Sequence, residues 1–329
     1  MRIATSAPTR IDLAGGTLDI WPLYLFHPGA QTINAAISLR ARAVVETRPD
    51  DRIVLTSLDT GVTVEAGDWR ELRARTSLRL LSRLACFFEA RGIALTTSCE
   101  SPAGAGIAGS SALNVAVCAA LAEWNRTHYE PEALLQLAMN VEAQAIGVPT
   151  GLQDYRPAMY GGIAALQLEA DTVRRVPLDL DPEDLEGRLV LCYTGEPRNS
   201  GTNNWEIMKR HIDGDRHVFD CFERIRDAAA ALREALDRGD WDAVGRAIDC
   251  EWEHRKRLAP GVTTPAIDDL IARARRAGAT AAKVCGAGGG GCLFCFGPCE
   301  RRGAIQAALA AGGARLLDFR VDRHGLTRG

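Results

Sequence analysis

An α+β fold is what the sequence predicts, on three observations. The chain has 329 residues, enough for two domains or one large one. Strand patterns dominate its first seventy residues, whereas the second half mixes helical patterns with short apolar runs. Hydrophobic residues make up 47%, ample for a core.

Taken in order, residues 1–50 read mainly as strands, with β-branched residues concentrated in ARAVVETRP (41–49). RIVLTSL and GVTVEAG form a hairpin pattern around Asp59-Thr60-Gly61. Leu72, Leu78, Leu80, Leu81, Leu84 and Phe88 recur at helical spacing, predicting a helix over 70–91. IALTTSCES (93–101) reads as a strand running into a glycine-rich turn. From Ser110 to Trp124 a helix is predicted, apolar on nearly all sides and therefore central and buried. Pro131 opens the next helix, through EALLQLAMNVEAQA. VPTGLQDYRPAMYGG (148–162) is loop-like, with Pro and Gly at both ends.

Residues 165–187 are acidic and turn-rich, the candidate junction between a unit of 1–170 and one of 171–329. RLVLCYTG (188–195) is then a buried strand. Two helical patterns span 216–258, broken at Arg238-Gly239-Asp240, and a third spans 264–277. AAKVCGAGGGGCLFCF (281–296) reads as strand, glycine turn, strand. GAIQAALAAGG (303–313) is a helix and ARLLDFRVD (314–322) a closing strand.

Composition narrows the function. A formal net charge of -3 argues against a general nucleic-acid or anionic-membrane binder, which would need a basic excess or stripe. The N-terminus has no apolar core of signal-peptide type, and no stretch approaches about 18 uninterrupted apolar residues, so a cytoplasmic protein with no membrane contact is expected. The ten cysteines are scattered and read as reduced thiols. Cys292 and Cys295 have CxxC spacing, but in a strand pattern their side chains would face opposite ways, which disfavours a metal site. The six histidines show no ligand spacing.

The chemistry concentrates in PAGAGIAGSSA (102–112). Three glycines let a backbone approach a ligand closely, and the helix that follows presents unpaired N–H groups and the positive end of its dipole. Together they make an anion site suited to a nucleotide's phosphates. Such a loop can also serve packing alone. No GxxxxGK[ST] is present, so it is not a Walker A loop. Gly286 to Gly291 satisfies GxGxxG, but a strand-like CLFCF follows where a dinucleotide site needs a helix. HExxH and GxSxG are absent.

PAGAGIAGSSA resembles the second motif of the GHMP kinases, with Ile107 standing for a leucine. APTRIDLAGG (7–16), continuing through Thr17-Leu18-Asp19, resembles the N-terminal motif of their sugar-kinase branch, of heptose-phosphate-kinase and fucokinase type. Lys283 through Gly291 resembles the C-terminal GAGGGG motif, and VEAQAIGVPTGLQDYRPAMYGG the segment bearing the acidic catalytic residue. The resemblance thus runs over essentially the whole chain. It implies a ribosomal-S5-domain-2-like N-terminal domain, a ferredoxin-like C-terminal domain, and ATP meeting its acceptor between them. It implies that Pro102, Gly104, Gly106, Ala108, Gly109, Ser110, Ser111 and Ala112 cradle phosphates. Asp154 would orient or deprotonate the acceptor hydroxyl, and Arg10 would stabilise charge on the transferring group. Ser111 and Glu142 would hold Mg2+. Asp19, with Gly16, Thr17, Gly151, Gln153 and Gly288, would meet the acceptor.

The Glu-His pair of galactokinases is replaced by Gly16-Thr17, which turns the expectation toward a heptose 7-phosphate, or a free sugar such as fucose, phosphorylated at its anomeric hydroxyl. A mevalonate-type kinase is disfavoured by Arg10 where lysine would be expected. A non-catalytic ligand sensor is disfavoured by the retention of Arg10, Glu142 and Asp154 together. Arg198, Asn199, Ser200, Asn203, Asn204 and Lys209, just after a strand, could reach the substrate, although a polar loop entering a helix has the same composition. Oligomeric state is expected to be monomer or homodimer.

Overall fold

The strand runs of the first half assemble into one sheet because each has at least one apolar face to bury. A computed structural model describes residues 1–196 and 200–329, with side chains for all of these except 200–203. In it β1 (Arg2–Ala14) runs antiparallel to β2 (Gln31–Thr47). β5 (Ile93–Cys99) pairs with β2 and, in parallel, with β3 (Ile53–Ser57), whose hairpin partner is β4 (Val62–Ala66). Gly61 makes the hairpin turn at φ +67°. β6 (Ile163–Leu168) and β7 (Val173–Pro177) extend the sheet beyond β2, and β12 (Thr327–Arg328) closes its other edge against β1.

Against this sheet pack α1 (Arg79–Phe87), α2 (Gly109–Trp124), α3 (Pro131–Ile146) and α4 (Arg156–Tyr160). α2 is the central one. Its residues from Ser111 to Ala122 are buried except Leu113. Ala112, Ala116, Ala119 and Ala120 let it lie close to β1 and β2, as an all-round apolar helix requires.

The second sheet has the order β11-β8-β10-β9, from β8 (Leu189–Tyr193), β9 (Ala281–Val284), β10 (Cys292–Phe296) and β11 (Arg315–Leu317), all antiparallel. Between β8 and β9 come α6 (Ser200–Ile212), α7 (Arg216–Arg238), α8 (Trp241–Arg255) and α9 (Pro265–Arg276); α5 (Pro182–Arg188) precedes β8 and α10 (Arg302–Ala311) joins β10 to β11. A βαββαβ order with the fourth strand beside the first is the expected ferredoxin-like arrangement. Gly239 at φ +66° ends α7, and Asp240 then caps α8 by accepting from Ala243 N at 2.9 Å.

Four elements depart from expectation. The predicted helix over 70–91 is a 3-10 segment, Trp69–Ala74, capped by Asp68, followed by α1; the polar Thr76-Ser77 and a left-handed Leu78 (φ 48°) interrupt it. Residues 148–162 are not all loop, since α4 forms with Pro157 in its first turn, where a missing N–H costs nothing. Residues 165–187 hold the β6–β7 hairpin and α5. Finally, only Arg315–Leu317 of the closing strand joins β8; Val321 bridges Ile37 of the first sheet, and β12 follows there. Residue 170 falls within the β6–β7 turn.

One buried cluster joins the halves: Ile11, Leu13 and Ile33 of the first sheet pack with Leu189, Leu191 and Phe294 of the second and Leu232 of α7. Among the described residues no helix is long and apolar enough to cross a membrane.

Candidate active site

β1 ends where the two sheets approach, and it carries Arg10 there, 1% exposed. The backbone of Arg10 donates to Ile107 O at 3.0 Å, tying β1 to the glycine-rich loop. Its guanidinium spans two groups. Nη1 donates to Gly106 O at 2.8 Å, and Nε to Asp154 Oδ1 at 3.1 Å, with Nη2 also on Oδ1. Burial works against this charge, but Asp154 and Asp12 outweigh it, and Arg10 is held above its ordinary value. Asp154 lies in the 3-10 turn Leu152–Asp154, and among the described residues its Oδ2 accepts no hydrogen bond.

The loop and Asp154 line one cleft of about 380 Å³, together with Pro102, Gly104, Gly106, Ala108, Gly109, Ser110, Ser111 and Glu142. Ala108 at φ +62° turns the chain into α2, so the first amides of a 16-residue helix open into the cleft without a side-chain cap. Ala112 is fully buried and its N–H is bonded to Ala108 O at 2.9 Å, so it backs the site rather than facing it.

α3 brings Glu142 beneath the start of α2. Its Oε1 accepts from Ser110 Oγ at 2.5 Å, and its Oε2 from Tyr155 OH at 2.7 Å. Burial pushes this carboxyl up, against the opposing hydrogen bonds of Ser110, Tyr155 and Ser111. A buried carboxylate beside two serine hydroxyls, at the wall of that cleft, is the hard-oxygen donor set that Mg2+ prefers. Among the described residues no group of three or more His, Cys, Asp or Glu could hold a metal by itself. Phosphate oxygens and water would have to complete the shell.

A second cavity of about 30 Å³ adjoins the first and has Gly151, Asp154 and Asn204 in common with it. Arg10, Thr17, Asp19, Gln153, Gly286 and Ala287 also line it. Asp19 Oδ2 accepts from Gln153 N at 2.8 Å. Among the described residues Asp19 Oδ1, Gln153 Oε1 and Asn204 Oδ1 are buried with no hydrogen-bond partner. Burial, and then the charge of Asp154, push Asp19 up to about 7. The pocket therefore offers several lone-pair acceptors beside the larger cleft.

Three predicted residues do not reach a cavity wall. Gly16 lies behind the pocket, where a Cβ would come within 2.3 Å of Asp12 Oδ2. Gly288, at φ +84°, packs on Val262, and Gly286 and Ala287 take the lining role. Ala112 is the third. Gly151 does line the site, and a Cβ there would meet Asp19 Oδ2 at 2.3 Å. Among the weaker candidates, Asn204 reaches both cavities, while Lys209 is ion-paired to Asp213 at 3.3 Å. Arg198, Asn199 and the side chains of Ser200 and Asn203 lie outside the described residues.

Sequence reasoning missed a buried charge cluster behind the pocket, formed by Asp12, Glu251, Arg255 and Lys283. Asp12 and Lys283 sit inside motifs the sequence singles out. Glu251 and Arg255 have i,i+4 spacing, which would equally suit a solvated helix face.

Residues 74–162 match the GHMP kinases N terminal domain and residues 232–315 match GHMP kinases C terminal, together more than half of the chain. The chain is 28% identical to a D-glycero-alpha-D-manno-heptose 7-phosphate kinase of Campylobacter jejuni, covering 98% of each protein. It is 26% identical to a mevalonate kinase of Thermococcus sibiricus, over 99% of this chain and 98% of that one. Its fold matches the crystal structure of a D-glycero-D-manno-heptose 1-phosphate kinase from Bacteroides thetaiotaomicron with a TM-score of 0.80, at 24% identity over 99% and 98% of the two chains.

Proposed function

The chain belongs to the GHMP kinases, and from that premise we propose that it transfers the γ-phosphoryl group of ATP to a hydroxyl of a sugar or sugar phosphate. The observation that carries the reading is Arg10, which touches both the glycine-rich loop at Gly106 O and the carboxylate of Asp154. Phosphoryl transfer needs phosphate positioning, charge stabilisation and an oriented acceptor oxygen, and that contact brings all three within one side chain's reach.

The amides at the start of α2 and the serine hydroxyls hold the phosphates. Ser111 and Glu142 would hold Mg2+, which would neutralise charge on the phosphate oxygens when bound. Asp154 keeps Oδ1 on Arg10 and presents Oδ2 to the acceptor hydroxyl. It takes the proton as the acceptor oxygen bonds to phosphorus and the bond to the ADP oxygen breaks. Arg10 lies beside the charge that develops there. Asp19 Oδ1, Gln153 Oε1 and Asn204 Oδ1, which have no partner among the described residues, accept from further hydroxyls of a polyol.

The similarity to a heptose 7-phosphate kinase, and the Gly16-Thr17 that stands for the galactokinase Glu-His, favour a heptose 7-phosphate as acceptor and its anomeric hydroxyl as the site. A mevalonate-type acceptor is the second reading, favoured by the relative at 26% identity, with Arg10 rather than lysine against it. The division into 1–170 and 171–329 belongs to the same proposal, as does a cytoplasmic enzyme acting as monomer or homodimer.

The test is ADP release with D-glycero-α-D-manno-heptose 7-phosphate, L-fucose, D-galactose and mevalonate. Asp154→Asn should lose turnover by about 100-fold or more while retaining nucleotide binding. Turnover unchanged in that variant, or confined to mevalonate, would refute the reading.

A further inference from the structure

Behind the acceptor pocket the fold buries four charges that the chemistry above leaves unused. Asp12 on β1, Glu251 and Arg255 on α8, and Lys283 on β9 are each at most 2% exposed. Lys283 Nζ lies 3.0 Å from Glu251 Oε1 and 3.3 Å from Asp12 Oδ1. Arg255 Nε donates to Glu251 Oε1 at 2.9 Å. Two acids and two bases balance one another. Apolar side chains of like volume commonly stabilise a core as well as such a cluster does, so stability is a weak reason for it.

The two remaining guanidinium nitrogens point to a better one. Arg255 Nη2 donates to Gly16 O at 2.7 Å and Nη1 to Thr17 Oγ1 at 3.0 Å. Both lie on the turn by which the chain leaves β1, through Gly15 at φ +84° and Thr17 at φ +70°. Left-handed backbone is unfavourable for a β-branched residue and persists only where its surroundings over-determine it. Two residues further on, Asp19 enters the acceptor pocket, and Thr17 itself lines that pocket.

We propose that Arg255 is a positioning residue for the acceptor. Held in place by Glu251, which Lys283 also pairs, it clamps the Gly16–Thr17 turn and so sets where Asp19 and Thr17 meet the substrate. A helix of the second half thereby fixes acceptor recognition in the first. The proposal rests on the kinase reading above. The planar fork is essential to it, because a single ammonium cannot serve the Gly16 carbonyl, the Thr17 hydroxyl and Glu251 in one geometry.

The experiment measures KM for ATP and for the best acceptor of the panel separately. Arg255→Lys keeps the charge beside Glu251 but loses the fork. It should raise the acceptor KM by about 10-fold or more, leave the ATP KM within about twofold and still melt cooperatively. Thr17→Ala should raise the acceptor KM as well, Thr17→Ser should restore it, and the Arg255→Lys/Thr17→Ala pair should be less than additive. An unchanged acceptor KM in Arg255→Lys, equal rises in both KM values, or Thr17→Ala and Thr17→Ser behaving alike would each overturn the proposal. If Arg255→Lys does not fold, the two Thr17 variants decide by themselves. Failure of the kinase reading looks different: the unmodified enzyme would phosphorylate none of the acceptors, and the inference would fall with it.

Discussion

Asp19 joins a liability to a use. Its carboxyl is buried, with one oxygen unpartnered among the described residues, and is pushed from the ordinary 3.8 to about 7, first by burial and then by Asp154. The folded state thus holds this proton more tightly than the unfolded chain does. The native fold therefore loses stability as pH rises from about 4 to about 7, and the penalty is complete above that. Each pH unit of that rise corresponds to about 1.4 kcal/mol, so the charge costs on the order of a few kcal/mol at pH 8. Asp19→Asn should raise Tm at pH 8 and leave it unchanged at pH 4, while weakening the acceptor KM because a charged acceptor of hydroxyl bonds is lost. Equal melting shifts at both pH values would refute the assignment. The position of Asp19 was legible in sequence because it follows the RIDLAGG motif. Its environment was not, because the carboxylate that raises it arrives from residue 154, and only the fold sets that distance. Arg255 was illegible for a related reason: a lone i,i+4 acid–base pair reads the same on a wet face and in a core.

At the scale of elements, two contacts hold the site open. The first is the C-terminal glycine loop beneath the 102–108 loop. Cys292 N donates to Ala105 O at 2.6 Å, and a Cβ on Gly291, at φ +80°, would come within 2.6 Å of that same oxygen. Backbone cannot yield as a side-chain tip can. Gly291→Ala should therefore displace the 102–108 loop and raise the ATP KM several-fold or about 10-fold, with the acceptor KM little changed; a variant with unaltered ATP KM would mean the loops are not coupled. The second contact is the histidine pair that ties His211, in the last turn of α6, to His27; α6 is the helix that carries Asn204 to the cleft. His27 Nε2 lies 2.9 Å from His211 Nε2, and His27 Nδ1 lies 2.6 Å from Glu223 Oε1, with Arg226 on the same carboxylate and Phe219 and Phe222 packed alongside. Burial lowers both imidazoles, opposed at His27 by Glu223 and reinforced at His211 by His27. A histidine lowered in the folded state supports the fold fully above its ordinary 6.5, and that support is lost as pH falls below it. Protection factors of the α6 amides, with exchange rates corrected for the pH dependence of the intrinsic rate, should fall between pH 6.5 and 5, and a His27→Leu/His211→Leu variant should flatten the change; identical profiles would refute the clasp. The glycine-rich turn into α2 was readable from its glycines and the helix signal after them. The histidine clasp was not, since residues 27 and 211 have no sequence relation.

For the whole molecule, the question is whether two sheets make two folding units. The ferredoxin-like half was legible as strand–helix order, but the return of the chain to the first sheet was not, because a two-residue edge strand carries no pattern. That return binds the halves together. Gly329 N donates to Ala4 O at 2.9 Å, and Arg40 of β2 donates to Ser6 O at 2.8 Å and Gly325 O at 2.6 Å, with its Nη1 on Asp322. The apolar face of β1 and β2 points into the core it forms with Leu189, Leu191 and Phe294. A fragment ending after Pro177 would expose Ile11, Leu13, Ile33 and Ile163, each worth about 1.5–3 kcal/mol of burial, a sum comparable to the 5–15 kcal/mol that holds most domains folded. It would also strip Asp12 of Lys283 and Arg255, leaving Arg10 as the one cation near it among those that act on it in the whole chain. Residues 1–177 expressed alone should therefore give a chain with no cooperative melt and poorly dispersed amide resonances. The full chain should unfold in one transition, with calorimetric and van't Hoff enthalpies in agreement. Two resolved transitions in the full chain, or a dispersed spectrum from the fragment, would mean that the acceptor and phosphate sites lie on separable units rather than on one body closed by its own last strand.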